Sequence, residues 1–407
     1  MEILYENILA TTWQQVVMWI IGGILIFLAI KKEMEPTLLL PMGFGAILVN
    51  LPISGVLTRY SCGNADCAFS GTLSQVTDKL GEFLGVCPSC AHTTAGEWIE
   101  TEGVIDTLFN AGIANELFPL ILFIGIGAMI DFGPLLTNPK LMIFGAAAQF
   151  GIFFTMFLAS LFFDINDAAS IGIIGAADGP TAIVVAQKLA SNYAGAIMVA
   201  AYSYMALVPI IQPPVIKALT TRKERLIRMP YQQKNVSKAT RILFPIIITI
   251  IAGLVAPASV ALVGFLMFGN LIRECGVLDS LSETAQKVLA NLVTIFLGLT
   301  ISTKMQADLF LRAETLLILA LGLFAFVFDT FGGVMLAKFM NLFLKEKINP
   351  MIGAAGISAF PMSARVIHKM GLEEDNQNFL LMHTIGVNVS GQIASVIAGG
   401  LILAFFG

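Results

Sequence analysis

Long runs of apolar residues, separated by short polar stretches, make up most of this chain. A helix needs about 20 predominantly apolar residues to cross the hydrocarbon core of a bilayer, and many of the runs approach that length. Twelve segments stand out, near residues 13–30, 37–56, 117–137, 141–163, 168–190, 194–217, 242–257, 258–275, 284–303, 315–341, 348–371 and 378–407. The pattern predicts an all-α membrane protein that crosses the bilayer repeatedly.

Composition agrees with this class of protein. Hydrophobic residues make up 57% of the chain and charged residues 12%, and the mean hydropathy is +0.85. The formal net charge of -4 is too small to indicate a strongly acidic or basic partner, and the sequence has no lysine-rich arm. We therefore expect contact with membrane lipid and none with nucleic acid.

The polar loops differ in charge, and the difference predicts their sides. The stretch 220–241 holds seven basic residues and one acid, Glu224, so the positive-inside rule places it in the cytoplasm. The stretch 57–116 holds eight acidic residues and only two basic ones, Arg59 and Lys79. We expect this longer loop to be external.

Counting the crossings exposes a conflict, because the basic loop would emerge outside if every segment spanned the membrane. One segment before it must therefore not cross. Segment 168–190 is interrupted by Gly175, Gly179 and Pro180, and non-helical backbone at that depth is tolerated only inside protein or beside a water-filled cavity. We predict a re-entrant hairpin entering from outside. Segment 348–371, also interrupted by Gly and Pro, predicts a second hairpin entering from the cytoplasm.

This layout divides the chain into two inverted repeats, each with five crossings and one hairpin. The first is predicted over residues 1–219 and the second over 242–407, joined by the basic loop 220–241. Weak echoes occur in the same order: GFGAILVNLPISGV from Gly43 resembles GFLMFGNLIRECGV from Gly264, and LFIGIGA resembles IFLGLTI. In inverted repeats of this kind, broken helices meet near the midplane, where their ends coordinate ions.

Asp178 interrupts the first predicted hairpin, within GIIGAADGPTAIVV. An ionisable group at bilayer depth costs about 2.5 to 3.5 kcal/mol on insertion scales, so it is rare unless it functions or is paired. A carboxylate beside freed backbone carbonyls suits a hard cation such as Na⁺, which prefers oxygen ligands, and it also binds protons. The structural alternatives are a helix cap before Pro180 or a pair with Lys188 or Arg365.

The second predicted hairpin should face Asp178. Its sequence NPMIGAAGIS offers an amide at Asn349, free carbonyls near Gly353 and a hydroxyl at Ser358. Na⁺ accepts all three kinds of oxygen, although Asn and Ser are also common helix caps. Arg365 follows near the cytoplasmic side, and its fork of donors matches a carboxylate. We expect it to hold an anionic group, with a snorkelling anchor as the alternative.

Polar side chains also mark two long helices that correspond to each other in the predicted repeat. One carries Tyr202 and Tyr204, and the other carries Asn388 in GVNVSGQIAS. Polar groups on apolar spans often only hold helices together. This alternative applies most strongly to the remaining three polar residues of the second helix, Ser390, Gln392 and Ser395.

The other ionisable residues of the apolar segments are expected to be structural. Asp131 and Asp329 are assigned to the ends of their segments, as caps or interfacial charges. His368 and His383 are isolated and lack metal-ligand spacing. The sequence has no phosphate-binding loop of the Walker type, so ATP is not expected to drive the protein.

Four of the five cysteines lie in the predicted external loop. Cys62 and Cys67 form a C-x4-C pair, Cys87 and Cys90 form a C-x2-C pair, and Cys275 is alone near a helix end. An oxidising compartment favours two disulfides, with three possible pairings. The alternative is a zinc site, for which such spacing is also typical.

Five stretches together resemble one family. GIIGAADGPTAI, AAYSYMALVPIIQPP, TTRKERLIRM, INPMIGAAGISAFPMSARV and QNFLLMHTIGVNVSGQIAS are similar to the β subunit of sodium-pumping, biotin-dependent decarboxylases, which act on oxaloacetate, methylmalonyl-CoA or glutaconyl-CoA. The resemblance covers the chain except the cysteine-bearing loop. Val387 and Gln392 depart from the pattern of the best-known oxaloacetate enzyme and indicate another branch.

The resemblance implies a function. In that family a soluble carboxyltransferase moves CO₂ onto the biotin of a carrier subunit, and the membrane β subunit decarboxylates carboxybiotin while it exports Na⁺ and consumes a proton. It follows that Asp178 would bind Na⁺. Asn349, Gly353, Ser358 and Asn388 would contribute to the ion sites.

Catalytic roles are implied for Asp178, Tyr204 and Arg365, with Tyr204 delivering a proton and Arg365 holding the carboxylate of carboxybiotin. The implied partners are the carboxyltransferase (α) subunit, the biotin carrier (γ) subunit and a small membrane subunit, with a homo-oligomer expected in a prokaryotic cell membrane. No biotin is expected on this chain. A Na⁺-coupled secondary transporter of an organic anion is the alternative, which an inverted repeat supports equally well.

Overall fold

A computed structural model describes residues 9–62, 67, 69–72, 76–77, 87–90, 98–230 and 236–407. The described chain is almost entirely helical, with one three-stranded sheet. Chain contacts divide it into two compact units, Met1–Leu117 with Ile295–Leu316, and Phe118–Thr294 with Leu317–Gly407. The predicted all-α class is confirmed.

The regular elements follow one another with short connections. In chain order they are α1 (Trp13–Lys32), α2 (Pro36–Val49), β1 (Arg59–Cys62), β2 (Ser70–Gly71), β3 (Trp98–Thr101), α3 (Val104–Gly112), α4 (Leu117–Met129), α5 (Gly133–Thr137), α6 (Met142–Ala148), α7 (Phe150–Ala159), α8 (Ile165–Gly172), α9 (Gly179–Lys188), α10 (Ala194–Leu219), α11 (Arg222–Arg225), α12 (Lys238–Val255), α13 (Val260–Cys275), α14 (Asp279–Thr284), α15 (Ala290–Ile301), α16 (Ala307–Phe310), α17 (Ala313–Phe343), α18 (Met362–Glu374) and α19 (Leu381–Phe406). Short 3₁₀ turns include Ile173–Ala176 and Pro350–Gly356.

Eight helical stretches of the described chain are long and apolar enough to cross a membrane, and a ninth results if the bent pair α3 and α4 is one span. The eight coincide with eight of the twelve predicted segments. The other four are the short helix α2, the segment of the bent pair and the two predicted hairpins. The protein is therefore a multi-pass membrane protein.

The first unit combines two apolar helices with a small sheet. Helix α1 begins where Thr12 and Gln15 form a reciprocal capping box. It crosses α2 at Gly22 and Gly43, where a Cβ on either residue would lie within 2.7 Å of the carbonyl oxygen of the other. Small residues allow this close approach of two membrane helices. The antiparallel sheet has the strand order β2-β1-β3.

The second unit contains both predicted hairpins. Helix α19 packs against α6, α9, α18 and the turn Pro350–Gly356, and it is the most buried of the eight spans. Both faces of this helix are apolar apart from a few polar positions, as expected of a central helix surrounded by others. It therefore forms the framework on which the candidate site is built.

Candidate functional site

The first predicted break is present at Asp178. Helix α8 continues through the 3₁₀ turn Ile173–Ala176 and ends, and α9 begins at Gly179. Ala177 adopts a left-handed backbone with φ of 51°, which costs about 1 kcal/mol or more in a non-glycine residue. Pro180 in the first turn of α9 loses no helical hydrogen bond, because the first amides of a helix have no partner within it. Asp178 is thus held in extended backbone between two helix ends.

The Asp178 side chain is 3% exposed and surrounded by neutral donors. Its Oδ2 atom accepts hydrogen bonds from Thr181 Oγ1 at 2.7 Å, Gln392 Nε2 at 3.2 Å and Ser395 Oγ at 3.2 Å. None of the ion pairs formed by the described residues includes Asp178. Three hydroxyl or amide groups with oxygens of their own therefore surround an acidic group that has no basic partner.

A tyrosine covers the residue after Asp178. A Cβ on Gly179 would lie 2.3 Å from the ring of Tyr202, so only glycine permits this approach. The Tyr202 hydroxyl is buried and has no hydrogen-bond partner among the described residues. Tyr204 lies elsewhere on α10, and its hydroxyl donates to the carbonyl of Leu319.

The second predicted break is also present. The turn Pro350–Gly356 is capped by Asn349, whose Oδ1 accepts the N–H of Met351 at 3.1 Å. Extended backbone then leads to the cis peptide bond between Phe360 and Pro361, after which α18 begins.

The two breaks meet, and α19 joins them. The Ser358 N–H donates to the carbonyl of Ala176 at 3.1 Å, and Ser358 Oγ donates to the carbonyl of Gly391 at 3.0 Å. Asn388 Nδ2 donates to the carbonyls of Ala355 and Ile357 at 3.1 Å and 2.6 Å. Asn388 Oδ1 is buried and has no donor in the described chain. Asn388 therefore contacts the second break, and Gln392, one helical turn further along α19, contacts Asp178.

Asn349 and Gly353 take other places around the second break. Asn349 Nδ2 donates to the carbonyls of Arg225 and Ile227 at 2.8 Å and 3.0 Å, so it anchors the basic segment. Gly353 packs against Gly333 of α17, whose carbonyl oxygen would lie 2.0 Å from a Cβ on Gly353. Neither residue hydrogen-bonds to Asp178 in the described chain.

Arg365 lies on an exposed face of α18. It borders an open cavity of about 310 Å³ on a mostly apolar wall, lined by Pro361, Ala364, His368, Leu381 and Ile385. No ion pair of the described residues involves Arg365. Its guanidinium is therefore available to an anion that enters this cavity.

Salt bridges fasten the basic segment to the end of α18. Arg225 Nε lies 2.6 Å from Glu374 Oε1, and Arg228 Nε lies 2.6 Å from Asp375 Oδ2. The hydrogen bond from Arg228, together with one from the backbone N–H of Gln377, lowers the pKa of Asp375. The segment that follows α10 is thus tied to the helix that follows the second break.

Two predictions about other residues are wrong and one is confirmed. Asp131 accepts the N–H of Gly133 at 2.8 Å, as expected of a local cap. Asp329 is neither a cap nor an interfacial charge, because α17 runs unbroken for 31 residues and buries Asp329 near its middle at 1% exposure. The predicted disulfides are absent as well: Cys62, Cys67, Cys87 and Cys90 are free thiols.

Three partners of Asp178 were not predicted as such. Thr181 follows Asp178 by three residues, the spacing of a helix cap and its first turn. Gln392 and Ser395 are three residues apart on one face of α19, and the sequence left open whether they serve a site or only hold helices together. Their helical spacing was the available signal.

The geometry defines a class of protein: a multi-pass membrane protein in which two broken helices meet beside a buried carboxylate. The sequence model of the Na⁺-transporting oxaloacetate decarboxylase beta subunit matches residues 14–406, and the chain belongs to this family. It is 49% identical over 394 residues to the methylmalonyl-CoA decarboxylase subunit beta of Propionigenium modestum, which covers 96% of this chain and 95% of the relative. The oxaloacetate decarboxylase beta chain of Klebsiella pneumoniae is 47% identical over 411 residues, covering 96% and 95%.

Proposed function

We propose that this chain is the membrane subunit that decarboxylates carboxybiotin, presented by a biotin carrier subunit, and couples the reaction to Na⁺ export with consumption of a proton. The observation that carries the proposal is Asp178, a buried carboxylate with no basic partner among the described residues, at the junction of two broken helices. An ion bound there would supply the missing positive charge. Membership of the sodium-transporting family supports Na⁺ as that ion.

We assign the Na⁺ site to Asp178 with oxygens from the second break and α19. Ser358 and Asn388 lie at the contact between the two breaks, and Asn388 Oδ1 still has acceptor capacity. Asn349 and Gly353, also expected in ion sites, would act by fixing the path of the second break. Oxygen donors of these kinds suit a hard monovalent cation.

Carboxybiotin would dock beside Arg365. The cavity at this residue is open and combines one guanidinium with apolar side chains, which suits a carboxylate together with the apolar carbons of the thioether ring of biotin. Tyr204 is the proposed proton donor for the biotin nitrogen that loses CO₂. The carboxyltransferase, the biotin carrier and a small membrane subunit would complete the complex. The segment 220–230, which salt bridges hold against the end of α18, would lie on the cytoplasmic side and face the carboxyltransferase and the carrier.

Two asparagines support the proposed inverted repeat. In the first unit, Asn50 Nδ2 donates to the carbonyl of Met305 at 2.8 Å. In the second unit, Asn270 Nδ2 donates to the carbonyl of Ile130 at 3.0 Å. Each asparagine lies inside the first shared echo, Asn50 in residues 43–56 and Asn270 in residues 264–277. Each binds a carbonyl that shortly follows the second shared echo of the opposite half, at Met305 and Ile130. Such reciprocal contacts are expected of a pseudo-two-fold arrangement, which permits alternating access to a central site.

The proposed site must couple decarboxylation to the outward movement of a charge. Moving one charge outward against a membrane potential costs about 2.3 kcal/mol per 100 mV, which decarboxylation must supply. We propose that Na⁺ binds from the cytoplasm while carboxybiotin is docked. A proton entering from outside then displaces Na⁺ at Asp178 after the two breaks have moved relative to the surrounding helices.

The test is Asp178→Asn in the complete complex reconstituted in vesicles. We expect both ²²Na⁺ uptake and CO₂ release to fall to background, because the amide cannot supply the negative charge. Asp131→Asn is the matched control, since Asp131 only accepts a local backbone hydrogen bond, and it should retain both activities. The proposal fails if Asp178→Asn transports Na⁺ and decarboxylates at the rate of the unmodified complex.

A Na⁺-coupled carrier of free organic anions is the second candidate. Avidin separates the two, because it sequesters the biotin of the carrier subunit. Na⁺ uptake driven by carboxybiotin stops when avidin is added, whereas uptake coupled to a free anion continues. Continued uptake with avidin in excess would favour the carrier.

A further inference from the structure

The four cysteines of the first unit form one compact cluster. Sγ atoms of Cys62, Cys67, Cys87 and Cys90 all lie within 4.8 Å of one another. The Cys62–Cys90 and Cys67–Cys87 sulfur atoms are each 3.8 Å apart. A disulfide would require about 2.0 Å. These sulfur atoms are therefore grouped as four, and not bonded as two pairs.

The distances match a tetrahedral thiolate site. Zinc binds cysteine sulfur at about 2.3 Å, so the edges of a tetrahedral Zn–S₄ site are about 3.8 Å long. The spacing also fits, because structural zinc sites draw their ligands from short C-x₂₋₄-C pairs. Cys87 and Cys90 form one such pair, and Cys62 and Cys67 form the other.

The backbone around the cluster is arranged for anionic sulfur. The sulfur of Cys67 accepts the N–H of Phe69, and the N–H of Cys62 returns to the carbonyl of Phe69 at 3.2 Å. The sulfur of Cys87 accepts hydrogen bonds from the backbone N–H groups of Cys90 and Ser89. Amide donors to ligand sulfur hold the thiolates in place around a metal.

We infer that Cys62, Cys67, Cys87 and Cys90 bind one Zn²⁺ ion as a closed, structural site. Binding replaces four S–H bonds with four Zn–S bonds and releases four protons. A site with four protein ligands has no open position, so it does not take part in chemistry. Its role is to link Cys62, at the end of β1, to Cys67 before β2 and to Cys87 and Cys90 before β3, and so to hold together a sheet of short strands.

The test is metal analysis of the purified full-length chain, without the other subunits of the complex. We expect about one zinc per chain, falling to background in Cys62→Ser/Cys90→Ser. Cys275→Ser is the matched control, because the fifth cysteine is not one of the four grouped thiols and donates to the carbonyl of Ile272, and it should keep the full zinc content.

Thiol counting keeps the inference testable if the double variant does not fold. In the unmodified chain under denaturing conditions with chelator, five reactive thiols are expected. One reactive thiol would show two disulfides and overturn the inference. Stoichiometric iron in place of zinc, or a chain with five thiols and no metal, would overturn it as well. Replacement by Co²⁺ should give the intense visible absorption of tetrahedral thiolate coordination.

A separate observation concerns Asp329 in the second unit. Neither carboxylate oxygen has a hydrogen-bond partner among the described residues, and no ion pair there includes it. The backbone amides of Gly151 and Ile152 lie beside the carboxylate without forming hydrogen bonds of ordinary geometry. An ionised carboxyl in such a place costs far more than its neutralised form.

Glycines make room for that group on two sides. A Cβ on Gly151 would lie 2.4 Å from Asp329 Oδ1, and a Cβ on Gly175 would lie 2.8 Å from Oδ2. Gly151 is at the start of α7, just after the interruption at Gln149, and Gly175 precedes Asp178 by three residues. Asp329 thus lies beside the 3₁₀ turn that precedes Asp178 in the first broken segment.

We propose that Asp329 is a second monovalent-cation site, taking H⁺ or Na⁺. Two further buried oxygens without partners in the described chain are Gln149 Oε1, just before α7, and Thr155 Oγ1, on α7. Thr155 is one turn beyond Gly151 on the same face. This site is separate from the Asp178 site of the proposed function, and its test reports on binding and not on decarboxylation.

The experiment compares Asp329→Asn with Thr330→Val. Thr330 is the matched control, because it is the next residue of α17, is buried, and bonds only to the carbonyl of Phe326. A bound proton predicts that infrared spectra of the unmodified chain contain a protonated-carboxyl band that Asp329→Asn lacks. Bound Na⁺ predicts that Asp329→Asn binds one fewer ²²Na⁺ than the control at saturation. The proposal is overturned if Asp329→Asn matches Thr330→Val in both measurements. Asp178→Asn, measured in parallel, distinguishes this result from failure of the first site.

Discussion

The backbone N–H of Ser358 donates to the carbonyl of Ala176 at 3.1 Å, which joins the two broken segments of the second unit directly. Ala176 ends the turn before Asp178, and Ser358 follows the turn Pro350–Gly356. A displacement of one break must therefore stretch or carry the other. This hydrogen bond therefore connects the proposed ion site at Asp178, on the first broken segment, with the proposed docking cavity at Arg365, which follows the second.

Ser395→Ala should raise the Na⁺ concentration needed for half-maximal activity about tenfold. The hydroxyl bonds to Asp178 Oδ2 at 3.2 Å, and a hydrogen bond to a charged group contributes about 1.5 to 3 kcal/mol. Its loss leaves the carboxylate less well oriented and removes one oxygen from the site. The measurement is the Na⁺ dependence of CO₂ release by the reconstituted complex.

Ser390→Ala is the control for that variant. Ser390 is buried on the same helix, but its hydroxyl bonds to the carbonyls of Leu141 and Val387. The Na⁺ concentration that Ser390→Ala needs for half-maximal activity should stay within about twofold of that of the unmodified complex. Equal shifts in the two variants would show that the effect comes from α19 as a whole and not from Asp178.

Gly391→Ala should separate α19 from the second break. A Cβ on Gly391 would lie 2.0 Å from the carbonyl oxygen of Gly356, and overpacking of this kind costs about 1 to 3 kcal/mol. We expect a lower midpoint of thermal unfolding in detergent and weaker Na⁺ activation. Gly23→Ala, with nothing within 4 Å of its Cβ, should leave both unchanged or raise the midpoint slightly, since alanine favours helix. An unchanged Gly391→Ala would contradict the packing described here.

The sequence predicted both breaks because their causes are local. Glycine and proline interrupt helices wherever they occur together, so the break at Asp178 follows from Gly179 and Pro180 alone. The partners of Asp178 have a different origin. Gln392 follows Asp178 by 214 residues, and only the packing of α9 against α19 decides which polar face of the last helix it meets.

The two wrong predictions also have physical reasons. Asp329 lies at the centre of the predicted segment 315–341, so its assignment to a segment end did not follow from the apolar pattern, and the 31-residue helix α17 agrees with the pattern. For the cysteines, spacing alone fits disulfides and a metal site equally well. The choice depends on sulfur distances, and these are 3.8 Å between Cys62 and Cys90 and between Cys67 and Cys87.

Acidification should loosen the basic segment from α18. The hydrogen bond from Arg228 lowers the pKa of Asp375 from its ordinary value of 3.8, so this contact stabilises the attached segment fully above about pH 4. Its contribution is lost as the pH falls through the lowered pKa. Spin labels at Lys223→Cys and Glu373→Cys should report a longer distance near pH 3 than at pH 7. In Asp375→Asn, the distance between the labels should differ much less between the two pH values. If the full difference is retained, groups other than Asp375 cause it.

Arg225→Gln should expose the segment to protease. Arg225 is largely buried, lies 2.6 Å from Glu374 and also donates to the carbonyl of Thr220 at 2.7 Å, so its loss leaves a carboxylate and a carbonyl without their donor. Removing one partner of such a pair costs more than removing a surface pair. Trypsin added to inside-out vesicles should cleave near Arg222 several-fold faster than in the unmodified protein, and cleavage in right-side-out vesicles should stay absent. Lys287→Gln, which breaks an exposed pair with Glu283, should leave the rate unchanged. Cleavage only in right-side-out vesicles would reverse the proposed orientation of the basic loop.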